Sequence, residues 1–323
     1  MGTGGDEGWS GDVQYSESLR PVRLIEQMEA HLGIARLQPR TESELPSTPP
    51  PKERYRVSIP HALRELGAAR ELIRTFVERD LRVRYRQAAL GAAWAIAQPL
   101  LLMVVFSFAF GRVAGVGSEG APYALFAYSA LVPWGLLTGS VGYGISNIVG
   151  NAPIVRKIYL PRDVIPVASV LSAGVDFLAS GVILLGMLLA YGYEPRVSWL
   201  AYPLLFAILF EFALAATLAS TLITVYFRDT RFAIPTLLQA LLFATPVAYP
   251  LARILRTLPP SLRTAYLYLN PLAPLLDGFR RVLLHGTWPQ WGPVGVAALT
   301  GSVSLCLSYW WYKRIDPRFA DVI

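Results

Sequence analysis

Reactive side chains are scarce in this chain. Its 323 residues include one cysteine, Cys306, and three histidines, His31, His61 and His285. A lone cysteine cannot close an intramolecular disulfide and excludes a cysteine-rich metal site; three scattered histidines argue against a histidine-rich one. Lysine is equally rare, and its placement is informative. A phosphate-binding loop needs Gly-Lys followed by Ser or Thr, whereas Lys52, Lys157 and Lys313 follow Pro51, Arg156 and Tyr312. No such loop exists here, so any ATP that drives this protein is bound by another polypeptide. The nucleophile elbow G-x-S-x-G is also missing, since Ser172 in Val-Leu-Ser-Ala-Gly lacks the first glycine. Charged residues make up 16% of the chain, against about a quarter in soluble domains.

What is present is apolar: 54% hydrophobic residues and a mean hydropathy of +0.42. The distribution is uneven. Residues 1–60 hold 16 charged residues and seven prolines, too little apolar surface to offset chain entropy, and read as a mostly disordered tail. A basic n-region followed by an apolar run is missing at the start, so no cleavable signal is expected. In 61–89, Leu63, Leu66, Ile73, Phe76, Val77 and Leu81 recur at helical spacing. Among them lie Arg64, Arg70, Arg74, Arg79, Arg82, Arg84 and Arg86, with Asp80 and Tyr85. A basic amphipathic helix beside a hydrophobic span is suited to the headgroup layer. Six apolar blocks follow within 90–323, at 90–110, 123–148, 164–191, 199–227, 232–251 and 293–312. Each is long enough for a hydrocarbon core of about 30 Å, and in lipid the backbone must satisfy itself, so helices are expected. The fold class is therefore all-α integral membrane: six transmembrane helices preceded by an amphipathic interfacial helix. The fifth block, carrying Pro235, Pro246 and Pro250, should be kinked. The stretch 252–290 should form short re-entrant or surface helices before the last span.

Basic residues orient the chain. With six spans, the segments on the N-terminal side hold 22 Lys and Arg and the opposite ones seven, which puts both termini in the cytoplasm. The net charge of +7 is then a topology signal, and no nucleic-acid partner is implied. Two carboxylates, Asp176 and Glu211, lie inside expected spans; each is either a proton carrier or a structural partner to a buried Arg, Tyr or backbone group. The Gly135-x-x-x-Gly139 pair, continued by Gly142 and Gly144, reads as close helix packing. Tyr123, Tyr128, Trp134 and Tyr249 are candidate stacking surfaces for sugar rings along a substrate path, or part of an ordinary aromatic belt.

Four stretches in register carry a family resemblance. They are the run from Glu78 through Arg84, Tyr85 and Leu90 to Trp94, Gln98 and Pro99; the loop Asn151 to Asp163; Tyr226-Phe-Arg228-Asp229 with Ala244 to Tyr249; and Leu269-Asn-Pro271 with Phe279-Arg280 and the terminal Phe319 to Ile323. Together they resemble the permeases of polysaccharide and polyol-phosphate ABC exporters (ABC-2 type), over about residues 61–323. The resemblance implies a homodimer of six-helix subunits working with two copies of a separate ABC ATPase, which would hold the ATP and Mg. It implies a lipid-linked glycan substrate (O-antigen-like, capsule-like or a teichoic acid) in the bacterial inner membrane, and outer gate helices in 252–290. The loop 149–163 is suited to coupling. Asn151 can cap a short helix with Pro153 in its first turn, and Ile154, Val155, Ile158 and Leu160 form an apolar plug beside Arg156, Lys157 and Arg162. The arginine helix would be the second ATPase contact and a gate for anionic pyrophosphate headgroups, for which guanidinium is well suited. Two rival functions are kept open. A membrane-embedded glycosyl- or acyltransferase needs a clustered acid/base set, for which 252–290 offers only Asp277 and His285. A proton-driven flippase would rely on Asp176 and Glu211.

Overall fold

The computed structural model describes residues 67–86, 93–150, 163–227 and 229–315, all within one compact unit. Every regular element among them is helical. In chain order these are α1 (Arg70–Arg86), α2 (Ala93–Phe106, continued by a π-turn Ser107–Val113), α3 (Tyr123–Gly150), α4 (Val164–Ala190) and α5 (Tyr202–Tyr226, opened by a 3-10 turn Val197–Ala201). Then come α6 (Thr230–Ala244), α7 (Leu251–Thr257), α8 (Pro260–Leu269), α9 (Leu272–Arg280, continued by a π-turn Arg281–His285) and α10 (Trp291–Ile315). Among the described residues, five stretches are long and apolar enough to cross a membrane: Ala93–Val113, Tyr123–Gly150, Val164–Ala190, Val197–Tyr226 and Trp291–Ile315.

Helix α3 is the axis of the bundle. In its most apolar stretch 78% of residues are buried, against 6% for the α2 stretch and 17% for α10; α4, α5 and α9 pack around it. Close approach of α3 to α5 depends on Gly144. A Cβ there would meet Thr217 Cγ2 at 2.4 Å and Thr221 Cγ2 at 3.1 Å, whereas one on Gly135 or Gly142 would meet nothing. The glycine run of the sequence thus has one crowded position in the described bundle. Thr217, Ser220, Thr221 and Thr224 turn their hydroxyls back onto carbonyls four residues earlier in α5, so these buried groups need no water.

The two ends of α3 define the two ends of the bundle. At its start, Tyr123 Oη donates to the Ala248 carbonyl at 2.5 Å. Near its finish, Asn147 Nδ2 donates to Asp80 of α1 at 2.5 Å. At 1.5 Å per residue these points lie about 36 Å apart along the helix.

The fifth apolar block departs from a single kinked span. Helix α6 has 15 residues, about 22 Å at the same rise and short of a 30 Å core. It stops because Thr245 must go extended before Pro246 (ψ 142°). Its last carbonyl, on Ala244, accepts from Tyr266 Oη at 2.9 Å and Asn270 Nδ2 at 3.3 Å. The chain then threads 245–248 through the core, with Val247 and Ala248 fully buried. Of the short helices that follow, α8 has no buried residue, whereas every residue of α9 is buried. The tail 1–60 lies outside the described residues.

Candidate functional site

Helix α1 bears a run of arginines, yet it turns an acid inward: Phe76 and Asp80 are its buried residues. The reason lies on α3 and α4. Asp176, midway along α4, accepts from Arg84 Nη1 at 2.8 Å, from Tyr143 Oη of α3 at 2.8 Å, and from Tyr85 Oη. Arg84 also stacks over the Tyr143 ring, 3.3 Å from its centroid. One helical turn away, Asn147 donates to both Asp80 and Ser169 of α4 (2.8 Å), while Arg79 pairs with Asp80 at 3.0 Å and lies over Phe76. Two polar nodes therefore join three helices, Asp176–Arg84–Tyr85–Tyr143 and Asp80–Arg79–Asn147–Ser169. Both follow i, i+4 spacing, since residues 80 and 84 share one face of α1 and 143 and 147 one face of α3. Burial first, then the hydrogen bond to Asp176, pushes the Tyr85 phenol up to about 12, so it stays a donor at neutral pH.

A third node closes the same end of the bundle. Asp163, at the start of α4 and 1% exposed, pairs with Lys313 of α10 at 2.9 Å and accepts from Tyr309 Oη at 3.4 Å. Asp163 directly follows the loop expected to couple to an ATPase. That loop's candidates Asn151, Pro153, Ile154, Arg156, Lys157, Leu160 and Arg162 lie outside the described residues.

Residues 71–284, running from α1 to the end of α9 and holding the Asp176 and Asp80 nodes, match the ABC-2 type transporter family. This chain belongs to the ABC-2 type transporter family. Among its relatives is an O-antigen export system permease protein RfbA of Myxococcus xanthus, 31% identical over 81% of this chain and 98% of the relative. A Klebsiella pneumoniae protein of the same name is 26% identical over 80% of this chain and 97% of its own length. The polysialic acid transport protein KpsM of Escherichia coli is 21% identical over 64% of this chain and 79% of its own.

Within this ABC-2 transporter chain the candidates on α1 divide cleanly. Arg79, Asp80, Arg84 and Tyr85 face the bundle, whereas Arg74, Arg82 and Arg86 are exposed, Arg74 holding only Glu78 one turn on at 2.7 Å. Of the two intramembrane carboxylates, Asp176 has the Arg and Tyr partners of a structural anchor. Glu211 of α5 accepts from Ser302 of α10 at 3.0 Å, where Gly301 lets the helices approach. The aromatic candidates are scattered. Tyr128 is fully buried with its hydroxyl on the Ser180 carbonyl, and Trp134 is 5% exposed; both are core residues of this chain. Tyr123 and Tyr249 are half-buried at the far end, where Tyr249 Oη donates to the Phe243 carbonyl.

One residue that carries this far end of the ABC-2 chain was invisible as a site. Arg280 is fully buried and lies 3.7 Å over the Phe126 ring. It donates to the carbonyls of Pro246 (2.6 Å), Phe126 (3.3 Å), Tyr249 (3.3 Å) and Val247. Burial pulls its guanidinium down to about 10, so it remains a cation at pH 7 and fixes the turn after α6 through backbone oxygens. The nearby Asp277 and His285 are engaged elsewhere, with Arg281 at 2.5 Å and Glu119 at 3.2 Å.

Proposed function

We propose that this chain is the membrane-spanning permease subunit of an ATP-driven exporter that moves a lipid-linked polysaccharide across the bacterial inner membrane. The carrying observation is the family match over 71–284, joined by relatives named for O-antigen and polysialic acid transport. The missing Gly-Lys loop supports a separate ABC ATPase that binds the ATP and Mg, two copies of which would serve two copies of this chain. The bias of Lys and Arg toward one side supports a topology with both termini in the cytoplasm. In this arrangement α6 and the extended turn beyond it form the remaining crossing of a six-span domain at 90–323, α1 is the interfacial helix of 61–89, and 1–60 is a cytoplasmic tail. The helices α7 and α8 then belong to the outer gate.

The geometry suits transmission of force. The loop 151–162 connects α3 to α4, the two helices that hold α1 through Tyr143, Asn147, Ser169 and Asp176. A push on that loop from a bound ATPase therefore reaches both walls of the groove in which α1 lies, and releases or tightens it as the path between two copies opens. The test is reconstitution. The purified chain alone hydrolyses no ATP, and together with its ABC ATPase it restores surface glycan in a permease-deficient strain. Hydrolysis by the chain alone, or export that persists when the ATPase is catalytically dead, overturns the reading.

A further inference from the structure

The end of the bundle near Tyr123 carries guanidinium groups that have no ion-pair partner among the described residues. The sequence has no Asp or Glu between Asp229 and Asp277, yet it places Arg253, Arg256 and Arg263 there. All three are exposed. Arg253 and Arg256 stand one turn apart on α7, where like charges repel, and neither makes an ion pair among the described residues. Arg263 Nε donates to the Leu258 carbonyl at 3.1 Å, which folds its guanidinium back over the α7–α8 turn. Of the other cations at this end, Arg280 sits in its carbonyl cage, Arg281 pairs with Asp277, and Arg196 donates to the His285 carbonyl at 3.2 Å, while Arg112 is exposed on the turn after α2. Helix α8 adds apolar surface to the same hairpin: Leu262, Tyr268 and Leu269 are 51, 52 and 85% exposed.

In water such a hairpin would leave three cations crowded and three large apolar side chains wet. At a lipid surface both problems are solved at once, with the apolar groups in the acyl boundary and each guanidinium on a phosphate oxygen. We infer that the α7–α8 hairpin is a binding surface for anionic phospholipid headgroups in the leaflet at that end of the bundle. This needs only the membrane-embedded bundle, not the transport reading. In the proposed topology that leaflet is the outer one, where arginine is ordinarily depleted, so three retained arginines have a specific partner. Because Arg280 ties the preceding turn to the core, headgroup charge sets how firmly the hairpin is held against α6 and α9.

The test uses the full chain in nanodiscs, with Cys306→Ala and a fluorophore on Ser261→Cys at the start of α8. Doxyl-labelled phosphatidylglycerol is expected to quench this probe about threefold or more beyond doxyl-labelled phosphatidylcholine at equal fraction. The preference falls to parity in Arg253→Gln/Arg256→Gln/Arg263→Gln, while Arg253→Lys/Arg256→Lys/Arg263→Lys retains most of it, separating charge from misfolding. Equal quenching by the two lipids in the parent chain overturns the inference, as does a preference that survives the glutamine variant. A probe shielded from both lipids would assign the surface to a second copy of the chain. Displacement of phosphatidylglycerol by a trace of farnesyl pyrophosphate, but not farnesol, would assign it to lipid-linked cargo. Either result overturns the inference.

Discussion

Replacing Asp176 by Asn tests the docking of α1 most directly, because the isosteric amide leaves no cavity and removes only charge. Three donors converge on that carboxylate: Arg84, Tyr85 and Tyr143. Breaking a fully buried ion pair costs about 3–5 kcal/mol, chiefly for the charge left behind. Here the Arg84 side chain is 25% exposed and that of Asp176 15%, so the stranded guanidinium can reach water along its own stem. The expected loss is therefore about 2–3 kcal/mol, a shift of roughly 30- to 150-fold in the docked fraction. A 17-residue helix without tertiary contacts is marginal, so amide exchange across 70–86 should accelerate by a similar factor in nanodiscs. Arg84→Gln should have the same effect, and the double variant little more than either alone. Unchanged exchange in Asp176→Asn, or strictly additive effects in the cycle, would refute the node. The phenol of Tyr85, raised to about 12, contributes fully below the ordinary tyrosine range near 10 and is lost only as pH rises through about 12. Its contribution to docking should be flat from about pH 7 to 9.

Arg280→Lys should fail to rescue the loss caused by Arg280→Met, since an ammonium cannot reach four carbonyls held by a planar fork; unsatisfied carbonyls cost about 1–3 kcal/mol each. Thermal unfolding in detergent checks this, and a lysine variant matching the parent would count against it. Gly144→Ala should cost about 1–3 kcal/mol by overpacking against Thr217, with Gly135→Ala as the near-neutral comparison in the same assay. Arg156→Glu with Lys157→Glu should weaken co-purification of the ABC ATPase and reduce export while membrane insertion stays normal; full export in that variant would remove the coupling role.

The spans were legible because their cause is local. Twenty apolar residues in a row admit one backbone solution in lipid, and five of the six expected blocks form helices long enough to cross. The remaining block, the fifth in chain order, reads as one kinked segment because Pro235 and Pro246 look alike in sequence. Pro235 lies within α6, whereas Pro246 ends it, and the difference is that Tyr266 and Asn270 are placed to donate to the freed Ala244 carbonyl. The candidate site was half legible. An acid in an apolar run and an arginine-rich helix could each be noticed, but 92 positions separate Arg84 from Asp176, and no spacing rule chooses among seven arginines. Asn147 and Asp163 gave no signal alone, because a single polar residue near a helix end is ordinary until its partner is known. The burial of α9 was missed for a related reason: its one guanidinium is matched by backbone oxygens, which a sequence does not display.

The Asp163–Lys313 pair has a mechanical consequence for the loop that precedes it. One rim of that loop, at Asp163, is pinned to the final turn of α10, a helix that packs along α5 and buries Tyr312. The other rim, at Gly150, continues the deeply held α3. A load on the loop thus meets a packed helix at each rim, and through Lys313 it is carried past α4 into α10 and the α5 helix that α10 lies along.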